Sequence, residues 1–592
     1  MTPPLLYRIE CAHPGAHLFK ITLTIAAPDT VGCRLSLPAW IPGSYMIREF
    51  ARNIVRNSAH SGRSHQPVKL TKLDKHTWQA APCDAPLTVE YEVYAWDLSV
   101  RAAHLDETHA FFNGSSVFLC VAGQEQVRHE VEIVRPAGPA YTRWHVATAL
   151  PRGGSTAAYG FGRYQAANYD ELIDHPVELG TFSRIEFSAC GVPHAVVITG
   201  QHDCDMARLA ADLKRVCETQ IRLFHGARAT RRDVPFERYV FLTLAVGEGY
   251  GGLEHRASTA LICARHDLPH ASLKKTSEGY RTFLGLCSHE YFHAWNVKRI
   301  RPAAFTPYDL TRENYTRSLW AFEGITSYYD DLMLLRCGLI SQSEYLDTLA
   351  KTIRSVLRGD GRLKQSVGDS SFDAWIKFYR QDENAPNAVV SYYAKGALVA
   401  LCLDLLLREG SGGRASLDDV MRRLWQHFGT TGTGVPEGGV EQTALAVSAP
   451  GGPRLRQRLS TFFADAVDGT GELPLKSLLQ SAGFVLKITP AAGPALGVRT
   501  AAAPDGLKLT HVLDGGGAQA AGLSAGDVVI AIDGVRVTQT SLEAHLVRKR
   551  RGAKVQVHAF RRDELIRRDV RLGAAEIEVT LTAAPPVPPK GQ

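Results

Sequence analysis

Two histidines and a glutamate in residues 287–298 have the types and spacing to do chemistry together. They are His289, Glu290 and His293, in the pattern H-E-x-x-H. On an α-helix, positions four apart lie on one face, so both imidazoles could hold one Zn²⁺ ion at about 2.0–2.1 Å. Glu290 lies beside that face and could accept a proton from a water whose pKa the metal lowers to about 7. The spacing therefore predicts the hydrolytic chemistry of a metallopeptidase.

The residues around the motif indicate where a third metal ligand would come from. Tyr280, Phe283 and Leu284 precede the motif at helical spacing, which favours a buried helix over a chance match. A catalytic zinc takes three protein ligands and leaves one position for water. Glu323 is the candidate, because it lies among aromatic and aliphatic residues in what reads as a second buried helix, where an unpaired carboxylate is costly. A glutamate held by a salt bridge inside a packed helix is the alternative interpretation.

Two runs carry a resemblance to a known family. The runs SHEYFHAWNVKRIRP and LWAFEGITSYYDDLML resemble the glycyl aminopeptidases, metallopeptidases of the thermolysin-like gluzincin clan that carry a PDZ domain. The resemblance spans nearly the whole chain. It implies an aminopeptidase with one Zn²⁺ ion per chain, which hydrolyses the first bond of peptides with a free N-terminus and favours N-terminal glycine or alanine.

Two further elements resemble parts of related gluzincin aminopeptidases. The run Gly-Gly-Leu-Glu-His resembles an element of those enzymes in which a glutamate captures the free α-amine of the substrate. That function would fall to Glu254 here. Gly251 and Gly252, expected in a loop before a strand, would let the substrate backbone approach closely. A later run matches the clan's tyrosine element at Tyr393, which would donate a hydrogen bond to the oxyanion. A solvated glutamate and an aromatic helix cap are the respective alternatives.

Apolar patterning predicts a multidomain α+β protein. Residues 1–180 alternate apolar and polar over short runs, as in an antiparallel β-sandwich. Within them, residues 38–50 resemble the family's N-terminal signature. They could form a rigid proline turn or take part in substrate entry, and we assign them no chemistry. Residues 181–488 would form the thermolysin-like catalytic domain, with a mixed β-sheet and α-helices. Residues 489–580 would form a PDZ domain, and the proline-rich residues 581–592 a disordered tail.

The PDZ assignment depends on residues 523–534, which resemble the central signature of PDZ domains. Leu496, Gly497 and Val498 would then form the carboxylate-binding loop, with Ala495 in place of the usual first glycine. Such a groove accepts a C-terminal peptide by strand addition. A purely architectural PDZ domain packed on the catalytic domain is an equally open alternative.

Length and composition exclude several classes of protein. A chain of 592 residues exceeds the ~250–300 at which single cores stop growing, and a net charge of +7 is too small to indicate nucleic-acid binding. No apolar run approaches the length of a membrane span, and the first twenty residues lack the pattern of a secretory signal. Eleven irregularly spaced cysteines suggest reduced thiols. We therefore expect a cytoplasmic protein without nucleic-acid or membrane partners; the sequence does not indicate its oligomeric state.

Three functions compete at this point. The leading one is a zinc aminopeptidase. The second is a zinc endopeptidase that recruits substrates through the PDZ groove, and the third is a non-catalytic peptide-binding scaffold with a structural zinc. Glu290 counts against the scaffold, because a structural metal site has no use for a general base.

Overall fold

The computed structural model describes residues 3–62 and 65–585 and confirms a multidomain α+β architecture. The chain forms two compact units. The first unit comprises Met1–Asn314, Tyr329–Ile340 and Met421–Pro436, and the second comprises Tyr315–Tyr328, Ser341–Val420 and Glu437–Gln592. Across the described residues, every helix is too short or too polar to cross a lipid bilayer.

The first unit begins with a β-rich domain, whose strands bury alternate side chains as the sequence pattern predicts. Its strands are β1 Leu5–His13, β2 Leu18–Ile25, β3 Arg34–Ser36, β4 Ile54–Ser61, β5 Gln66–Pro67, β6 Leu70–Lys72, β7 Thr77–Ala80, β8 Leu87–Tyr94, β9 Ala103–Leu105, β10 His109–Phe112, β11 Cys120–Val121, β12 His129–Val134, β13 His145–Thr148, β14 Gly162–Ala166 and β15 Val177–Gly180. Its helices are α1 Gly114–Val117 and α2 Tyr169–Ile173. One sheet has seven strands in the order β14-β12-β1-β2-β8-β4-β5, and two have four, β13-β15-β10-β9 and β11-β3-β7-β6. The β1–β12 pair is parallel, unlike the antiparallel pairing expected.

A five-stranded mixed sheet with two helices completes the first unit's core. Its elements are β16 Phe182–Ala189, β17 Val192–Thr199, β18 Tyr239–Val246, β19 Tyr250–Glu254, β20 Ser258–Ala264, α3 Met206–His225 and α4 Glu278–Phe292. The order is β16-β17-β18-β20-β19, so β19 is an edge strand. Helix α4 packs against α3, β19 and β20. The sequence analysis expected Gly251 and Gly252 in a loop, and this expectation is wrong, because both lie within β19.

The second unit is helical up to the PDZ domain. A π-helix, Trp320–Gly324, leads into α5 Ile325–Arg336, which continues into the first unit. The other helices are α6 Gln342–Leu357, α7 Val367–Phe372, α8 Ala385–Ala388, α9 Ala394–Ser411, α10 Leu417–Leu424, α11 Gly439–Val447, α12 Gly452–Phe463 and α13 Leu475–Ser481. The π-helix touches α9 through two glycines, since a Cβ on Gly324 would lie 2.5 Å from Cα of Gly396.

The PDZ domain follows, between two strands that pair with each other and contact α13 and α6. Those two strands are β21 Phe484–Pro490 and β30 Ile577–Ala583, and between them lie β22 Pro494–Ala495, β23 Val498–Ala503, β24 Gly506–Val512, α14 Gly517–Ala520, β25 Val528–Ile532, β26 Val535–Arg536, α15 Leu542–Leu546, β27 Lys554–Arg561, β28 Glu564–Arg571 and β29 Gly573–Ala574. Strand β21 pairs with β30, so residues 581–583 belong to a sheet and not to a tail. Residues 586–592 of the expected tail lie outside the described residues.

Candidate active site

Helix α4 presents the two motif histidines on one face. The Ser277 hydroxyl caps its first turn by accepting a hydrogen bond from the Tyr280 amide at 3.0 Å. The helix ends at Phe292, but His293 keeps right-handed helical angles (φ −60°, ψ −19°) and so stays one turn above His289. The Nε2 atoms of His289 and His293 face each other at 3.0 Å. The predicted helical placement of the motif is therefore confirmed.

The hydrogen bonds of the two rings fix which nitrogen carries the proton. Nδ1 of His293 donates to the Asn296 carbonyl at 2.7 Å, and Nδ1 of His289 donates to Asp330 Oδ2 at 3.2 Å. Both neutral rings then present the lone pair of Nε2. Two lone pairs facing each other at 3.0 Å repel unless a cation lies between them. Tetrahedral ligands about 2.0–2.1 Å from a zinc ion are about 3.3 Å apart, so this donor pair fits the metal.

Asp330 on α5 is a site residue that the sequence analysis did not assign. It holds His289 through the ring, and its backbone carbonyl accepts a hydrogen bond from the Ser288 hydroxyl at 2.8 Å. Burial raises the pKa of Asp330, and the His289 hydrogen bond opposes that rise. A carboxylate on the outer nitrogen of a metal-binding histidine orients the ring and increases its basicity. The sequence signal that could have identified Asp330 is its position seven residues, or about two helical turns, after Glu323.

The edge strand β19 brings the general-base candidate and the amine-binding candidate together. A Cβ on Gly252 would lie 2.1 Å from Oε1 of Glu290, so the β19 backbone runs directly against this carboxylate. Glu254 is only 4% exposed, and its Oε1 has no hydrogen-bond partner among the described residues. Ligand atoms of Glu254, Glu290 and His293 all lie within 4.8 Å of one another. Two carboxylates thus border the same small space.

The segment 38–50, to which we assigned no chemistry, reaches this space. A Cβ on Gly43 would lie 2.5 Å from Oε2 of Glu254, and Gly43 has a φ of +94°, which favours glycine. The indole of Trp40 anchors the segment by donating to the Asp309 carbonyl at 2.9 Å. The segment therefore forms a wall of the site beside Glu254, and the sequence pattern alone gave no measure of that proximity.

A buried ionic cluster lies behind Glu254. Asp174 accepts from Lys298 Nζ at 2.7 Å, from Arg256 Nε at 2.7 Å and from His255 Nδ1 at 3.1 Å. Burial alone would raise the pKa of Asp174, but Lys298 and Arg256 hold it well below its ordinary value. The Lys298 ammonium forms its ion pair with Asp174, and Oε1 of Glu254 has no hydrogen-bond partner among the described residues. His255 is 1% exposed, and its ring belongs to this cluster through Asp174.

The second unit holds Glu323 and the two candidate tyrosines. Glu323 is 2% exposed within the π-helix. Tyr392 is fully buried, and burial, followed by the nearby Tyr379 and Glu323, raises its pKa. Tyr393 is only half-buried at the start of α9, with its hydroxyl 3.3 Å from that of Tyr379. Of the two neighbours, Tyr393 is therefore the more exposed one.

The predicted carboxylate loop lines a cleft in the second unit. Leu496, Gly497 and Val498 border about 650 Å³ together with helix α15 and with Arg358 of the helical region. Gly497 has a φ of +79°, and a Cβ there would lie 2.8 Å from Cα of Gly516. The amide of Asn387 donates to the Val512 carbonyl at 2.9 Å, which ties the PDZ sheet to the helices.

Comparisons with known proteins match three parts of the chain to family models. Family models match residues 6–181 as a peptidase M61 N-terminal domain, residues 282–399 as an M61 glycyl aminopeptidase and residues 494–572 as a PDZ domain. A crystal structure of an aminopeptidase N family protein from Idiomarina loihiensis is 42% identical, with a TM-score of 0.92 over 98% of each chain. This chain belongs to the M61 glycyl aminopeptidase family.

An M61 glycyl aminopeptidase is a hydrolytic aminopeptidase, and the resemblance seen in the sequence is confirmed. The matched range 282–399 includes the H-E-x-x-H motif, Glu323 and Tyr393. An M1 zinc metallopeptidase from Deinococcus radiodurans is also similar, at 12% identity and a TM-score of 0.48 over 80% of this chain and 95% of that one. No curated protein matches this M61 chain.

Proposed function

We propose that this M61 peptidase is a zinc aminopeptidase that removes glycine or alanine from the N-terminus of peptides. His289, His293 and Glu323 would hold one Zn²⁺ ion per chain. The facing Nε2 lone pairs of the histidines support the first two ligands. Glu323 precedes Asp330 by about two turns of one continuous helical segment, and Asp330 holds His289, which supports Glu323 as the third ligand.

The bound metal supplies Lewis acidity toward the scissile carbonyl and lowers the pKa of a water. Glu290 accepts the proton of the attacking water and returns it to the departing amine. The β19 backbone at Gly252 fixes the Glu290 carboxylate, since it runs directly against it. The Tyr393 hydroxyl, half-buried at the start of α9, donates a hydrogen bond to the developing oxyanion.

The buried carboxylate of Glu254 carries the exopeptidase assignment. A buried charge without a partner is costly, so a site that keeps one is built to receive the opposite charge. Oε1 of Glu254 is such a group, and the ammonium of a substrate N-terminus fits it. Because Glu254 lies within 4.8 Å of Glu290 and His293, an amine held there leaves room for a single residue before the scissile bond.

The preference for small residues has a steric basis in the same wall. The backbones of Gly43 and Gly252 press against the two carboxylates, which narrows the space around the first substrate residue. A glycine or alanine side chain fits such a space better than a large one does. The description of the family as glycyl aminopeptidases supports the same preference.

A comparison of free and acetylated substrates tests the aminopeptidase proposal. We expect a Gly-reporter substrate to be hydrolysed and its N-acetylated form to resist, because acetylation removes the charge that Glu254 binds. Glu254→Gln should raise KM and lower kcat/KM by at least tenfold. The exposed Glu248 offers a matched control, and Glu248→Gln should change neither constant. Equal hydrolysis of both substrates would instead indicate an endopeptidase.

We also propose that the PDZ cleft binds the C-terminus of a peptide. The loop Leu496–Val498, with Gly497 in its left-handed conformation, supports this proposal, because such a loop offers backbone amides to a carboxylate. The charged residues that line the cleft are of both signs: Arg358, Arg551, Asp360, Asp514, Glu543 and Glu576.

A further inference from the structure

Two histidines and an aspartate form a second cluster in the first unit, and it shares no residue with the candidate active site. They are His104 on β9, Asp106 in the following turn and His109 on β10. The histidines are 4% and 6% exposed. One ligand atom from each of the three residues lies within 4.8 Å of the others.

Each imidazole of this cluster is bonded through one nitrogen to a carboxylate. Nε2 of His104 lies 3.1 Å from Asp106 Oδ2, and Nδ1 of His109 lies 3.2 Å from Glu178 Oε1. Nδ1 of His104 is buried without a hydrogen-bond partner among the described residues. The His109–Glu178 pair has the arrangement that holds His289 against Asp330 in the active site, since both use Nδ1. Proteins use such carboxylate–histidine pairs to orient metal ligands.

The cluster opens onto a cleft and joins two sheets. A space of about 700 Å³ is lined by His104, Asp106 and His109, with Trp96 and Gln201. Glu178 also accepts a hydrogen bond from the Thr199 hydroxyl of β17 at 2.9 Å. The carboxylate that orients His109 is therefore tied to the catalytic five-stranded sheet, while the histidines belong to the four-stranded sheet of the β-rich domain.

We propose that His104, Asp106 and His109 bind a divalent transition-metal ion, in addition to the catalytic one. Imidazole and carboxylate ligands suit Zn²⁺, Co²⁺ or Ni²⁺. Glu178 orients His109, and the open cleft supplies water to complete the coordination. Because Glu178 also binds Thr199, occupancy stabilises the contact between the β-rich domain and the catalytic sheet. This proposal does not depend on the proposed substrate or peptidase activity.

A cobalt titration of the full-length chain tests the site without an activity assay. The starting protein carries His289→Ala and His293→Ala, which remove the catalytic ligands, and is stripped with a chelator. Bound Co²⁺ is measured by visible absorption and by metal analysis. We expect this protein to bind about one equivalent of Co²⁺ and to gain thermal stability from that binding.

Three further substitutions, each added to the starting protein, test which residues bind this Co²⁺ ion. Asp106→Asn keeps the Oδ1 acceptor that binds the amides of Thr108 and His109, so the turn is retained while a ligand is lost. Adding Asp106→Asn or His109→Gln should abolish binding, and adding Glu178→Gln should weaken it by about 10–100-fold. His129→Gln is the control, because His129 is a buried histidine of the same domain whose Nδ1 bonds only to the Val127 carbonyl.

Either of two results would overturn the proposal. The first is a starting protein that binds no Co²⁺ although it is folded by circular dichroism. The second is an equivalent that survives Asp106→Asn and His109→Gln together. Since Asp106→Asn preserves the turn, its effect decides the question even if His109→Gln impairs folding.

Discussion

Three buried carboxyl groups of the active site face different partners, and those partners decide what each group can do. Asp174 is saturated by Lys298, Arg256 and His255, so it serves the structure. Glu254 keeps an oxygen without a partner among the described residues, which suits it to bind a cation. Glu290 lies on α4 beside His289 and His293, the proposed metal ligands, which suits it to exchange a proton with a water. Residue type alone does not distinguish these functions.

The first prediction concerns Glu290. Glu290→Gln should lower kcat by about 10²–10⁴-fold with little change in substrate binding or metal content, because the amide keeps the shape but cannot accept the proton. Steady-state kinetics, calorimetric peptide binding and metal analysis would measure these effects. Glu278→Gln, on the exposed first turn of the same helix, serves as the control. A variant with unchanged kcat, or one that loses its metal, would contradict the assignment.

At the level of elements, the site depends on how closely strand β19 approaches helix α4. Two adjacent glycines of β19 have different surroundings. A Cβ on Gly252 would lie 2.1 Å from Glu290 Oε1, whereas a Cβ on Gly251 meets nothing nearer than Arg101 Nη1 at 3.9 Å. Only the first of these contacts requires glycine.

The two glycines therefore provide a matched pair of substitutions. Gly252→Ala should displace the Glu290 carboxylate and lower kcat by at least tenfold, since small misplacements of a catalytic group are costly. Gly251→Ala should leave kcat near its wild-type value. Kinetics and circular dichroism on both variants would check this. Equal losses of activity would mean that the strand, and not the Glu290 contact, controls catalysis.

On the scale of the whole molecule, buried neutral histidines link folding to pH. Burial lowers the pKa of His129 to about 4, of His175 to about 3 and of His194 to about 4. In the unfolded chain these groups titrate near pH 6.5, so the unfolded state binds more protons below that pH. Their contribution to stability is fully present above pH 6.5 and is lost as the pH falls toward 4.

His129→Gln tests this linkage. Between pH 7 and pH 5 the wild-type free energy of unfolding should fall by about 2 kcal/mol more than that of the variant, because glutamine cannot be protonated. Urea unfolding at the two pH values would measure the difference. Parallel declines in the two proteins would show that His129 is not held neutral in the folded state.

Much of the fold and part of the site could be predicted from local patterns. Period-two alternation identified the β-rich domain, and helical spacing identified α3, α4 and α9, because each pattern reports one buried face of one element. Two features were not predicted: strand β1 pairs with β12 in parallel, and strand β30 continues through Ala583. Both depend on pairing between segments that are distant in the sequence.

The sequence by itself indicated the chemistry. It placed two imidazoles one helical turn apart on α4 with a carboxylate beside them, and it resembled a family of aminopeptidases. Only the tertiary structure decided which further groups meet them. It brought Gly43 and Gly252 against Glu254 and Glu290, and it paired Lys298 with Asp174. The physical reason is that periodicity encodes which face of an element is buried, whereas the partner of a buried charge is set by how separate elements pack.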